Sequence, residues 1–251
     1  MRLKRGQVTI FIIIAIVIVV LIVLAFLIFP KIKTTLGLGE SNPSLFIQTC
    51  MEEVIKDAVE KISLQGGSVE PGFFTLYDDQ KVEYLCYTNE YYKTCVVQQP
   101  MLIEHITREI KEDIEDKADD CFNSLKESYQ RQGYDVNLKK ETMNVDLLPR
   151  RVIANLNYTL TLTKTDTKRY DSFVVVLNNN LYELSAIANN ILKWEATYGD
   201  AEISAYMTYY PELKVEKIIQ SEGTKVYIIT DRNTRNKFQF ASRSVVLPAG
   251  G

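Results

Sequence analysis

Four cysteines, Cys50, Cys86, Cys95 and Cys121, dominate the chemistry this chain could perform. Their number is even, no Cys-x2-Cys pair occurs, and His105 is the sole histidine, so a metal site lacks its usual ligand spacing and disulfide bonding is the expected use. Three pairings are possible in principle, and helical periodicity chooses among them. Ile47, Cys50, Val54, Ala58 and Ile62 recur on one helix face, as do Ile103, Ile106, Ile110, Ile114, Ala118, Cys121 and Leu125. Cys50 falls early in its helix and Cys121 late in the other, so an antiparallel pair brings the two sulfurs together. Cys86 and Cys95 flank a Tyr- and Thr-rich stretch that reads as a hairpin turning at Asn89 and Glu90, which their bond would staple.

The remaining candidates point away from catalysis. His105 lies beside Glu104 and one turn before Glu109, but an imidazole–carboxylate pair needs a nucleophile or metal held in geometry, and no motif marks one. It reads as a surface histidine. No G-x-S-x-G, H-E-x-x-H, P-loop or dinucleotide fingerprint is present, so no catalytic residue, metal or cofactor is assigned and the chain is not expected to be an enzyme. The carboxylates of residues 104–120 are tempting as calcium ligands, yet they fall on a helix without the turning glycine of a calcium loop. They read as a solvated face, with Glu104 pairing to Arg108 and Asp113 to Lys117. Asn157-Tyr158-Thr159 fits the N-glycosylation acceptor pattern, and strand alternation puts Asn157 on a polar face.

Elements positioning these residues can be read in chain order. Ser41-Asn42-Pro43 opens a helix that stops at Gly66-Gly67, and Pro100 opens a longer one ending near Gly133. Between them, residues 73–97 are rich in Tyr, Phe and Val and read as strand and hairpin. Residues 153–163 alternate, with Ala154, Leu156, Tyr158, Leu160 and Leu162 on one face, as a half-buried strand that turns at residues 165–168 into a partner. Asn178-Asn179-Asn180 caps a third helix with Leu181, Leu184, Ala188, Ile191 and Trp194 along its stripe and Gly199 at its end. Residues 213–220, 225–230 and 237–242 read as strands.

Ahead of all this, residues 8–29 carry no charge and follow Arg2, Lys4 and Arg5. A run of that length spans a bilayer core of about 30 Å, and the flanking cations favour an inner N-terminus with the rest of the chain outside, where disulfides persist. An ordinary signal peptide would have a shorter apolar region and a small-residue cleavage site. The chain holds 29 basic and 32 acidic residues; without Arg2, Lys4 and Arg5 the balance is 26 against 32, about −6, which disfavours a nucleic-acid partner.

Lys4-Arg5-Gly6-Gln7-Val8-Thr9-Ile10-Phe11 resembles the class III signal of archaeal pilin-like proteins, a short basic leader ending in Gly before an apolar helix. The resemblance implies cleavage between Gly6 and Gln7. Many pilins carry a Glu where this chain has Phe11. The wider chain also resembles a set of archaeal surface proteins, especially from small-genome lineages, with a GQVTIF-type anchor, a Cys-bearing helix ending near QGG, a second Cys-bearing helix and a β-rich region.

The expected fold is therefore α+β: an N-terminal transmembrane helix followed by a mixed ectodomain with an antiparallel helix pair and antiparallel sheets. Residues 1–30 would be leader and membrane helix, 31–40 a linker, 41–133 a disulfide-linked helical subdomain, 134–246 a β-rich subdomain and 247–251 a loose tail. The expected role is a single-pass, membrane-anchored extracellular structural or interaction protein, pilin-like, whose partners are the lipid bilayer and other surface-protein subunits. The alternative is an ectodomain that binds a small ligand or acts as a hydrolase.

Overall fold

A computed structural model of the protein describes residues 42–246. Pro43 opens helix α1 (Pro43–Leu64), its fixed φ suiting a first helical turn whose N–H has no partner in any case. The helix buries Ile47, Met51, Ile55 and Ile62, and each such side chain contributes about 1.5–3 kcal/mol relative to exposure. It ends where Gly66 takes φ +85° and the Gly67 N–H donates back to the Ile62 carbonyl at 2.9 Å. No other residue fits at Gly66, since a Cβ there would lie 2.8 Å from Glu83 Cβ.

A hairpin of β1 (Phe74–Tyr77) and β2 (Gln80–Tyr87), with the short β3 (Val96–Val97), leads into α2 (Leu102–Arg131). The buried residues of α2, including Ile106, Ile110, Ile114 and Ala118, follow the sequence periodicity and meet α1. The two helices run antiparallel: the turn after α1, at Gly67, meets Leu102 and Ile106 at the start of α2, whereas Cys50 near the start of α1 joins Cys121 late in α2.

Strands β4 (Asp135–Lys139), β5 (Met143–Leu148), β6 (Arg151–Leu156), β7 (Thr159–Thr163), β8 (Thr167–Tyr170) and β9 (Phe173–Asn178) form two three-stranded sheets, β4-β7-β8 and β5-β6-β9. The alternating stretch read as one strand is thus two, and the chain changes sheets at Asn157 and Tyr158. Helix α3 (Leu181–Tyr198) follows, capped at its start by Asn179 Oδ1 accepting from the Leu181 N–H at 2.8 Å, then the short α4 (Ser204–Tyr209). Strands β10 (Leu213–Ile219), β11 (Thr224–Asp231) and β12 (Lys237–Arg243) complete the largest sheet, ordered β1-β2-β12-β11-β10, with β3 also on β2.

Two parts of the expected fold are corrected. Among the described residues no helix is long and apolar enough to cross a membrane, so the transmembrane element is absent from this architecture; the apolar run at 8–29 lies outside the described residues. The sheets are not all antiparallel either. β12 pairs with β2 in parallel, Ala241 opposite Tyr84 and Arg243 opposite Tyr87, with a register shift between Ala241 and Ser242. The described domain is mixed α+β, with four α-helices rather than one helix pair and a third helix.

Residues 43–246 form one compact unit, and its main core joins both Cys-bearing helices, α3 and all three sheets. β11 is buried on both sides: Tyr227 and Ile229 enter that core, while Val226 and Ile228 join a smaller cluster with Val82, Tyr84 and Ala241. A strand covered on both faces reads as a continuous apolar run rather than an alternation, as this one does.

Candidate functional site

The four cysteines are bonded in the two pairs expected, one from helical periodicity and one from the hairpin reading. Cys50 joins Cys121 with Cα atoms 6.1 Å apart, and Cys86 joins Cys95 with Cα atoms 5.3 Å apart. The first bond clamps α1 to α2. The second ties the end of β2 to the residue before β3, where Cys86 faces Val97 and Tyr87 faces Val96. Cys86, Cys95 and Cys121 are all buried.

His105 is not a surface residue. It is 7% exposed and sits at a polar junction between α2, β2 and the turn that follows α1. The Arg108 guanidinium approaches Nδ1 at 2.9 Å, which makes Nδ1 the acceptor and leaves Nε2 to donate to Ser68 Oγ at 2.8 Å. Ser68 in turn donates to Glu83, and Glu109 accepts from the Val69 N–H at 2.8 Å. Burial lowers the imidazole below its ordinary 6.5, against the pull of Glu109, and burial raises the Glu83 carboxyl, against the hydrogen bonds of Ser68 and Gln99.

A serine beside a histidine invites comparison with a hydrolytic triad, and the polarity is wrong. In a triad the imidazole takes the serine proton and a carboxylate holds the other ring nitrogen. Here the serine proton goes to Glu83, a cation holds Nδ1, and Ser68 is 5% exposed. The cluster pins the residue 66–70 turn to α2 and β2. The expected pairing of Glu104 with Arg108 is replaced by this contact, while Asp113 and Lys117 do pair, at 2.6 Å.

A second polar cluster lies under α3. Glu195 is fully buried and occupies the stripe position one turn after Ile191, whereas Trp194, expected to face the core, is 47% exposed. Lys225 Nζ donates to both Glu195 oxygens at 2.9 and 3.1 Å, Ser242 Oγ donates at 2.9 Å and the Ala201 N–H at 3.2 Å, and the Tyr227 hydroxyl also donates to it. Burial and the neighbouring carboxylate push the Tyr227 phenol upward. Lys225 further meets the Gly199 carbonyl and, at 3.1 Å, Asp200. Burial alone would raise Asp200, but the hydrogen bonds of Lys217 and Lys225 outweigh it and hold that carboxyl below its ordinary 3.8. Every oxygen of Glu195 is thus occupied by this domain's own donors, so the cluster is a clamp between helix and sheet.

One arrangement open to an outside molecule is a cleft of about 430 Å³ between α1, the end of β9 and the β11–β12 turn. Lys56 and Glu60 come from α1, Asn178 and Asn179 from the end of β9, and Thr234, Arg235, Asn236 and Lys237 from the turn. Val59, Leu64 and Leu177 supply its apolar floor. The turn is held in place from several sides. Asp231 Oδ1 accepts from the Asn233 and Thr234 N–H groups at 2.7 and 2.9 Å, Asn180 donates to Asp231 Oδ2 at 2.7 Å, and Asn236 donates to Asn180 Oδ1 at 2.7 Å. Arg235 sits in the left-handed region, φ +66°, an uncommon conformation for a residue with a side chain. Among the described residues, Lys56, Arg235 and Lys237 have no ion-pair partner in a chain whose formal charge is −3.

Gly6 and Gln7, the expected processing site, lie outside the described residues, as do the linker 31–40 and the tail 247–251. Asn157 is half-buried where the chain changes sheets, and its side-chain nitrogen donates to Thr142 Oγ1 at 3.0 Å. Among the described residues, no group of three or more His, Cys, Asp or Glu side chains is placed to hold a metal ion. Comparison of the chain with family models, with curated proteins and with solved structures found no match in any of the three.

Proposed function

We propose that this chain is a structural or interaction protein of the cell surface, with residues 42–246 on the outer side of the membrane, serving as a pilin-like subunit or as a component of its assembly. The observation that carries this reading is the cysteine chemistry. All four cysteines of the chain are bonded in two pairs, none is free, and such bonds persist in oxidising surroundings rather than in a reducing cytosol. The pilin-like part rests on the resemblance of residues 4–11 to a class III signal. The decisive experiment labels intact cells with an impermeant reagent directed at a C-terminal tag, alongside non-reducing mass spectrometry of the purified protein. Labelling at the surface, two intact cysteine linkages and a mass lacking the first six residues are expected; a C-terminus shielded in the cytosol refutes the reading.

A second reading, an outer domain that holds a small ligand, is favoured by the cleft at the β11–β12 turn. Its volume lies in the range of small-molecule sites, and its lining combines an apolar floor with converging polar groups.

A further inference from the structure

We infer that the cleft binds an acidic sugar, a carboxylate-bearing pyranose of the uronic acid class. This rests on the ligand-binding reading and names its ligand chemistry. The first argument is charge. Lys56, Arg235 and Lys237 reach one concavity from two separate elements, with Glu60 the single carboxylate among them. Other exposed cations of the described residues, Lys61, Arg151 and Lys193 among them, also lack an ion pair, so what marks the cleft is the convergence of three cations on one concavity beside a single carboxylate. A concentration of unpaired cations favours an anion, and the planar fork of Arg235 suits a carboxylate in particular.

The second argument is the remaining polar inventory. A site for a bare anion needs donors only. This one also offers acceptors: the Glu60 carboxylate, the Asn178 amide, which makes no side-chain hydrogen bond among the described residues, and Asn236 Oδ1, whose amide nitrogen is already engaged with Asn180. A mixed set of donors and acceptors suits hydroxyl groups, each of which can both give and take a hydrogen bond. Half-buried Leu64, with the edges of Val59 and Leu177, supplies the apolar patch that the C–H face of a pyranose ring needs.

The third argument is preorganisation. The Asp231-centred turn and its ties to Asn180 fix the backbone that carries Arg235 and Lys237, so the ordering cost left for the moment of binding is that of their side chains. That support explains how Arg235 keeps a left-handed conformation.

The test is isothermal titration of the purified full-length chain with glucuronate, glucose and inorganic phosphate, repeated with Lys237→Gln and Arg235→Asn. Asn tolerates the left-handed region better than most residues, so the second change removes charge with little backbone strain. Glucuronate is expected to bind, with glucose at least about tenfold weaker and each variant about tenfold weaker for glucuronate, the scale of one charge-assisted hydrogen bond. Phosphate is expected to bind more weakly than glucuronate. No heat with glucuronate at about 10 mM overturns the inference, since even a millimolar site would be half filled or more. So does equal affinity for glucose, which removes the role of charge, or equal affinity for phosphate, which leaves a bare anion site. Unchanged binding by both variants, folded by circular dichroism, overturns it as well. The wild-type comparison of the three probes stands without any variant. Because titration is indifferent to the side of the membrane, its failure leaves the surface assignment standing, and a cytosolic C-terminus would leave the titration standing.

Discussion

Removing the two disulfides one at a time should reveal unequal contributions to stability, and the inequality follows from loop length. Cys50 and Cys121 are separated by 71 positions, Cys86 and Cys95 by 9. In the chain-entropy treatment, closing the longer loop restricts the unfolded chain by about 4.4 kcal/mol at room temperature and the shorter by about 2.6 kcal/mol. Replacing each pair with alanine removes that restriction. For a domain of this size 1 kcal/mol moves the melting temperature by roughly 2–4 °C, so losses of roughly 9–18 °C and roughly 5–10 °C are expected. Urea unfolding followed by circular dichroism gives both values, and the denaturant slope should rise in the variants as their unfolded states expand. Three of the four sulfurs are buried, so lost packing adds to both variants and the ordering is what the experiment decides. If the Cys86/Cys95 variant were the less stable of the two, the entropic account would be wrong, and local packing around β2 and β3 would have to replace it.

Other perturbations follow from the buried clusters. Glu195→Ala removes the buried carboxylate of Lys225 and leaves it only the exposed Asp200, so it should cost about 3 kcal/mol in urea unfolding, whereas pairing it with Lys225→Met should recover part of that loss; equal instability of single and double variants contradicts the ion-pair account. Gly199→Ala meets two obstacles, a backbone at φ +79° and a Cβ that would fall 1.7 Å from Val246 Cγ2, so a loss of at least about 1 kcal/mol is expected, and an unchanged melting temperature speaks against that C-terminal contact. His105 makes stability depend on pH. With its folded pKa below 6.5, the unfolded chain takes up the proton first as pH falls through 6.5, so the histidine's contribution declines there and levels off below the folded pKa. Glu83, raised from 4.5 by burial, acts oppositely: its contribution grows as pH falls through the raised value and is flat below 4.5. The stability difference between wild type and His105→Gln isolates the histidine and should narrow as the pH drops below 6.5; parallel profiles would show that His105 carries no such linkage.

Much of the helical framework was legible because helix periodicity is a local signal. The stripes carrying Cys50 and Cys121 placed both sulfurs on core faces, and caps and glycines bounded α1, α2 and α3 within a few residues. What escaped depends on partners far along the chain. His105 looks like a surface residue until Ser68, 37 positions away, takes its Nε2 hydrogen, and Glu195 interrupts an apolar stripe for the sake of Lys225, 30 positions on. The split between β6 and β7 was hidden because burial keeps alternating through Asn157 and Tyr158 as the chain crosses from one sheet to the other. Parallel pairing of β12 with β2 leaves no local trace, since nothing in either strand names its neighbour. The cleft was invisible for the same reason: Lys56, Asn178 and Arg235 become neighbours only after folding.

The position of β12 has a consequence for the order of events in making this protein. Among the described residues β12 is the last strand in chain order, yet it lies between β2, one of the first, and β11, so the central sheet keeps two open edges until β12 has been made. Until then the unfinished sheet exposes strand edges that invite wrong pairing. A ribosome that stalls before Lys237, or a protease that trims back to it, would leave two halves of a sheet with no strand to join them.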